Sequence, residues 1–353
     1  MRYPKRVKLD ELLATVDTQK KAALPFVVYR HPNTLNIMGL FQDNDVLHHT
    51  HDFSESGFVF SPFDNQQATL LIPTDNHFEA TSGKFGVSHR TEVFASEKGK
   101  HDHMNLVKKG ISLIKKGVVK KIVLSRKISV KTFEEGVPIF LRALEAYPNA
   151  FCYLWYHPKV GMWVGATPER LLHVRGNRMK TTSLAGTLAV EPDKNPDWSQ
   201  KELEEQKMVT DYLLDQLKNE VSEVKVSETK SVRAGQLWHL KTDIHANLPL
   251  GANLRQVVSK IHPTPAVCGL PTQEAKKFIL GHEGYDRTYY TGFLGELNLS
   301  ETGAADLYVN LRCMQIEHNE VFIYVGGGIT KDSNPEKEWM ETENKSKTMR
   351  SLL

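Results

Sequence analysis

The feature that most constrains this chain is a series of short apolar runs, each stopped by turn residues and answered by a second run. Residues 151–156 and 162–165 make one such pair, and 171–174 with 178–184 make another. Runs of this length joined by short turns read as antiparallel hairpins. Further strands are expected around 121–126, 237–247, 290–297, 304–316 and 320–325. Residues 26–29, 57–60 and 69–73 have the same character, so residues 1–96 are expected to form a strand-rich part of the same fold, ahead of the region at 97–353 that carries the chemistry.

Helices are interspersed with these strands. Residues 100–117 place Met104, Val107, Ile111 and Ile114 on one face. Others are expected at 135–146, at 199–221 after Pro196, at 272–280, and from Pro335 onward with Asn334 as N-cap. Hairpin-linked strands with helices between them give a mixed α/β (α+β) class with largely antiparallel sheets.

A chain of 353 residues, 40% hydrophobic and 25% charged, has ordinary globular composition and enough length for a substantial core. Its net charge of +3 is too slight to imply a nucleic-acid partner, and Lys108-Lys109, Lys115-Lys116 and Lys120-Lys121 suit a solvated face. Cys152, Cys268 and Cys313 lie far apart in apolar surroundings, which argues against a disulfide framework and fits a reducing compartment. The basic N-terminus has no apolar segment after it, and no run is long enough to span a membrane. A cytoplasmic protein without a membrane partner is the reading.

On the helix after Pro196, Glu202 and Glu205 share a face with Val209, Tyr212 and Leu213 at about 100° per residue. On the last helix, Glu338, Glu341 and Lys345 share a face with Met349 and Leu352. Carboxylates on an inward stripe need a partner charge or a metal, and oxygen-only ligands suit Mg²⁺. Solvated faces with ordinary i,i+4 pairs, such as Glu341 with Lys345, fit the same spacing. Spacing leaves both readings open.

Gly326, Gly327 and Gly328 follow a strand, where their N–H groups would form an anion-binding nest or a tight turn. Arg312, on the neighbouring strand, would grip the same anion or pair with a nearby Glu. Lys121 opens an apolar run, which suits a general base or an edge-strand charge. Glu169 sits in a turn that ends a strand, as a positioned acid or a partner for Arg170. His48, His49 and His51 are read as surface residues.

Taken in order, Lys121-Ile-Val-Leu-Ser-Arg126, Gly165-Ala-Thr-Pro-Glu-Arg170, Leu184-Ala-Gly-Thr187, His262-Pro-Thr-Pro-Ala266, Asp286-Arg287, Tyr290-Thr-Gly292, Asn310-Leu-Arg-Cys313, Gly326-Gly-Gly-Ile329 and Pro335-Glu-Lys-Glu-Trp-Met-Glu-Thr342 resemble the chorismate-utilising family. That family includes isochorismate, salicylate, anthranilate and aminodeoxychorismate (ADC) synthases. The resemblance covers about residues 97–353 and implies an ADC synthase-like fold of stacked antiparallel sheets enclosing the site. It implies Lys121 as the base that activates water and Glu169 as the acid that protonates the leaving hydroxyl. It places Mg²⁺ on Glu205 and Glu341, with Glu338 and Glu202 beside them. Arg312, Tyr290 and the amides of Gly326, Gly327 and Gly328 match the pocket for the enolpyruvyl carboxylate, Lys345 falls near the ring carboxylate, and Ala185, Gly186, His239 and Thr264 line the ring site.

Within the family, a lysine at position 121 implies water as nucleophile, since the amine-using members have no lysine there. The aminodeoxychorismate branch carries a nucleophilic lysine where this chain has Leu184. The implied activity is Mg²⁺-dependent isomerisation of chorismate to isochorismate, for menaquinone or siderophore synthesis, with no amidotransferase subunit. A salicylate synthase, which goes on to eliminate pyruvate, shares the same base and acid. A non-catalytic relative would be expected to lack Lys121 or Glu169. The first 95 residues show no clear feedback-inhibitor site.

Overall fold

The computed structural model describes residues 3–83, 97, 99–190, 194–234 and 237–353, so the expected boundary near residue 96 lies outside the described residues. The helices are α1 (Leu9–Lys21), α2 (Lys100–Lys115), α3 (Gly136–Ala146), α4 (Gln200–Leu217), α5 (Leu254–Ile261), α6 (Thr272–His282) and α7 (Pro335–Arg350). The strands begin with β1 (Lys5–Arg6), β2 (Phe26–Arg30), β3 (Asn36–Phe41), β4 (His48–Thr50), β5 (Gly57–Ser61), β6 (Thr69–Pro73) and β7 (Asn76–Thr81). They continue with β8 (Lys121–Lys131), β9 (Phe151–His157), β10 (Gly161–Thr167), β11 (Arg170–Arg175), β12 (Arg178–Ala189), β13 (Ser222–Val226), β14 (Lys230–Ala234), β15 (Leu237–Asn247) and β16 (Gly269–Leu270). The last four are β17 (Phe293–Leu297), β18 (Ala305–Val309), β19 (Cys313–Glu317) and β20 (Glu320–Ile329).

These strands build two sheets. The first runs β1-β7-β3-β2-β9-β10-β19-β20-β8-β16 and is antiparallel except where β1 meets β7. The second runs β13-β15-β12-β11-β18-β17-β5-β6-β4, with β14 also paired to β15. Between them lies a largely aromatic core that includes Tyr29, Tyr153, Trp155 and Trp163 from the first sheet and Phe58, Phe60 and Tyr308 from the second. Full burial of such a side chain contributes roughly 1.5–3 kcal/mol. On the outer face of the first sheet, Leu12 and Val16 of α1 and Ile139 and Phe140 of α3 meet Phe26 and Val28. Val209 and Leu213 of α4 and Val257 and Ile261 of α5 cover the second. Strands β2 and β5 are therefore buried along their whole length, which is why they read as continuous apolar runs.

Within the strand-rich first part of the chain, Leu9–Lys21 is helical, because Leu12 and Val16 recur at helical spacing and bury on the sheet. One expectation is corrected. The run 304–316 is not one strand. It divides into β18, in the second sheet, and β19, in the first. The break is a tertiary effect: Asn310 accepts a hydrogen bond from Tyr153 Oη at 2.6 Å and donates to the Tyr289 carbonyl at 2.9 Å, while Arg312 takes φ 47°.

Strands β10 and β11 change sheets in the same way at Pro168 and Glu169. The two crossings are tied together: the Ala166 N–H donates to the Arg312 carbonyl and the Val309 N–H to the Glu169 carbonyl, each at 2.9 Å. Strands that switch sheets make the corners of stacked sheets, and here the corner carries Glu169 and Arg312.

Gly295 on β17 has φ 144°, and a Cβ there would lie 2.1 Å from the Asp306 carbonyl oxygen on the adjacent strand. Gly295→Ala is expected to cost about 3 kcal/mol or more, measured as a lower urea midpoint. An unchanged midpoint would show that β17 and β18 can move apart freely.

Candidate active site

A pocket opens where this corner meets β8, β12 and β20. Its lining brings together Glu169, Ala185, Gly186, Glu202, Glu205, His239, Tyr290, Arg312, Gly326, Gly327, Gly328, Glu341 and Lys345. Lys121, Glu338 and Thr264 lie just outside the lining. Lys121 is fully buried, with Nζ donating to Glu205 Oε1 at 2.7 Å. Thr264 is buried in the segment that leads to Ala266 and Val267, which do line the pocket.

Gly326, Gly327 and Gly328 are not a nest beyond a strand. They belong to β20 and pair with Ser125, Leu124 and Val123 of β8. Their missing side chains serve close approach. A Cβ at Gly327 would lie 3.4 Å from both Glu338 Oε2 and Glu341 Oε1, and one at Gly328 would lie 2.9 Å from Glu205 Oε1 and 3.0 Å from Lys121 Cε. The bare strand lets carboxylates from α4 and α7 come down onto the sheet.

Burial raises the carboxyl of Glu169 to about 8, against the opposing pull of Lys121, Arg312 and Lys345. It is therefore mostly protonated at neutral pH and able to donate. His239 sits opposite a bulge in β12, where one extra residue lies between the Ala185–Leu240 and Leu188–Trp238 partners and Gly186 takes φ 71°. Its Nδ1 lies 2.9 Å from the Gly186 carbonyl oxygen, which places the proton on Nδ1. Burial, helped by the Arg312 charge, pushes this histidine down to about 3, so the ring is neutral and Nε2 is a buried acceptor without a partner. Arg312 is half-buried, and its Nη1 donates to the Lys345 carbonyl at 3.3 Å.

The family model for chorismate binding enzymes matches residues 63–353. This chain belongs to that family. It is 29% identical over 302 residues to the isochorismate synthase MenF of Pasteurella multocida, covering 82% of this chain and 69% of the relative. It is 30% identical over 258 residues to Escherichia coli MenF, covering 70% of this chain but only 59% of that protein. A solved structure assigned as the 2,3-dihydroxybenzoate-specific isochorismate synthase DhbC of Bacillus anthracis superposes with a TM-score of 0.81 at 25% identity, over 94% of this chain and 96% of that one.

In this chorismate-binding enzyme, lysines answer the carboxylates around the glycine strand. Lys345 donates to Glu341 Oε1 at 2.6 Å and to the Gly326 carbonyl at 3.0 Å, and Lys201 reaches Glu338 Oε1 at 3.4 Å. Burial would raise Glu205, but Lys121 and the further lysines Lys345 and Lys201 hold its carboxyl below the ordinary value. Glu202 points elsewhere: its Oε2 accepts from the Ser199 N–H at 3.1 Å and from Ser199 Oγ, closing a capping box on α4. Among the described residues no three His, Cys, Asp or Glu side chains stand close enough to hold a metal as placed. Glu338 nonetheless has Oε2 buried without a partner, and burial together with neighbouring Glu341 raises its carboxyl. A buried orphan oxygen beside a second carboxylate fits a cation, and an all-oxygen set fits Mg²⁺.

Sequence reasoning missed Lys201, whose place in the first turn of α4 gives no signal of its own, and the part played by Arg287. Buried Arg287 pairs with Glu283, with Nε to Oε2 at 2.7 Å. It also donates to the Val267 carbonyl at 3.0 Å, Thr291 Oγ1 at 3.1 Å and the Val123 carbonyl at 2.8 Å. All three recipients line the pocket, so Arg287 fixes its wall.

Crowding at Glu338 should be measurable without substrate. Glu338→Gln removes one buried charge and is expected to raise the stability of chelator-treated protein at pH 7 by on the order of 1 kcal/mol in urea unfolding. A loss of stability would mean that the Lys201 pair outweighs the crowding.

Proposed function

We infer that this enzyme is an isochorismate synthase, an isomerase that adds water at C2 of chorismate and releases the C4 hydroxyl. The observation that carries the reading is a buried carboxyl lining the pocket, Glu169, with a buried lysine, Lys121, just outside that lining. The names of the MenF relatives support it. In this reading Lys121 takes the proton of the attacking water and Glu169 gives one to the departing hydroxyl, each worth about 10² to 10⁴-fold in rate. Arg312 and Tyr290 hold the enolpyruvyl carboxylate at the Gly326–Gly328 edge, and the free Nε2 of His239 offers an acceptor to a ring hydroxyl. Ala185, Gly186 and Thr264 shape the ring site.

Glu205, Glu338 and Glu341 would hold Mg²⁺, with Glu202 outside the ligand set. The ion would supply positive charge that neutralises the ring carboxylate and gives Glu205 a partner other than Lys121. Lys345, now on Glu341 and the Gly326 carbonyl, adds positive charge on the same side.

Leu184 lines the pocket where the aminodeoxychorismate branch carries its nucleophilic lysine, so no covalent adduct forms there. Water as nucleophile requires no amidotransferase partner. Among the described residues no helix is long and apolar enough to cross a membrane, and the three cysteines are free and buried, which suits a reducing cytoplasm. The product would feed menaquinone or siderophore synthesis.

Incubation with chorismate and Mg²⁺ is expected to yield isochorismate without pyruvate; salicylate plus pyruvate would instead select a salicylate synthase. Lys121→Ala is expected to abolish turnover while calorimetry still registers chorismate binding, and retained turnover would sink the base assignment. Because Glu169 must carry its proton, kcat/KM is expected to fall about tenfold per pH unit above about 8. A profile flat from pH 7 to about 10 would remove Glu169 as the acid.

A further inference from the structure

Apart from the catalytic pocket, the fold holds a second cavity of about 220 Å³ whose lining includes His51, Phe53, Gln66, Arg255, His262 and Phe293. At its inner end His262 is 3% exposed, and neither ring nitrogen has a hydrogen-bond partner. Burial, with the Lys276 charge adding to it, pushes this histidine down to about 3, so it stays a neutral ring with one donor and one acceptor. A buried polar group with nothing to bond is costly, which marks the inner end as built for a polar guest. Phe293 meets His262 edge-on at 5.1 Å and Phe53 at 6.1 Å, so flat apolar walls surround the imidazole. Arg255, at the exposed rim, forms no ion pair among the described residues; its charge reaches Asp52, and nearby Asp64 is taken by Lys276 at 2.7 Å.

We propose that this cavity is a second small-molecule site, which takes a single-ring carboxylate with a hydroxyl at its far end. The carboxylate meets Arg255, the ring lies among Phe53 and Phe293, and the hydroxyl bonds His262. The site is coupled to catalysis by two short segments. From His262 the chain reaches Ala266 and Val267, and back from Phe293 it reaches Thr291 and Tyr290; all four line the catalytic pocket. Arg287 ties the segments together through Val267 and Thr291. A ligand that pins His262 and Phe293 therefore biases the wall against which chorismate would rest.

The test is calorimetric titration of the full-length protein with 4-hydroxybenzoate, with and without saturating chorismate and Mg²⁺. Binding is expected in both conditions, weakened roughly tenfold or more in Arg255→Ala and in His262→Phe. Turnover is expected to change in a pattern that chorismate does not compete away. Displacement by chorismate, or wild-type affinity in both variants, would place the probe in the catalytic pocket and overturn the proposal. So would no heat at about 10 mM probe, or binding that leaves turnover untouched. In the arm without chorismate the heat is read without turnover, so an error in the assigned reaction would not imitate the loss of binding in the two variants.

Discussion

The N–H of Val309 bonds the carbonyl of Glu169, and the N–H of Ala166 bonds that of Arg312, so two strand pairs leave one sheet and enter the other as a hydrogen-bonded unit. Everything polar in the site is placed relative to that crossing. A strand inside a flat sheet presents alternate residues to opposite faces. A strand that changes sheets can aim consecutive polar residues into the cleft between them. Glu169 and Arg312 both occupy such positions, and Thr167 Oγ1 secures the bend by donating to the Val309 carbonyl at 2.6 Å. The left-handed backbone of Arg312 is held by this network and by the buried Asn310, whose side chain replaces the ladder bonds lost at the break.

Around that corner, charge is arranged so that no carboxylate is left alone. Lys121 answers Glu205, Lys345 answers Glu341 and Lys201 answers Glu338. The Lys121–Glu205 pair ties α4 to β8, Lys201–Glu338 ties α4 to α7, and Lys345 bonds both Glu341 and the Gly326 carbonyl, which ties α7 to β20. The arrangement is incomplete at one point, the second oxygen of Glu338. Electrostatics alone would favour a neutral residue there, so the carboxylate is best understood through what it can bind. Strand β20 makes the crowding possible: at Gly328 an alanine methyl would already stand within 2.9 Å of Glu205.

Much of this was legible in the sequence, for identifiable reasons. The hairpins at β9–β10 and β11–β12 follow from local apolar runs and turns, and α2, α3 and α6 from their 3.6-residue period. The boundary between β18 and β19 was not legible, because the apolar pattern runs on through it and the partners that break it, Tyr153 and Tyr289, are distant in sequence. Helical spacing put Glu202 and Glu205 on one face, which is correct as geometry. It did not separate their surroundings, although Ser199 three residues before Glu202 already carried the signature of a capping box. The glycine run was visible, but its meaning depended on whether it lay in a strand or beyond one, and only the pairing with β8 decides that.

Glu169 and His239 show why the chemistry needs the whole fold. Both are ordinary residues whose behaviour is set by burial: one carboxyl is raised until it keeps its proton at neutral pH, and one imidazole is lowered until it refuses one. Neither shift is encoded locally. Each requires stacked sheets thick enough to exclude water from the corner, and the Phe58, Phe60, Tyr153 and Trp163 layer between them supplies that thickness. Lys121, Arg312 and Lys345 pull Glu169 toward ionisation, so its protonated state survives only while desolvation exceeds their combined attraction. A core substitution that admitted water to this corner would thus change the charge of Glu169 without touching it, by allowing the carboxyl to ionise beside the cations that surround it.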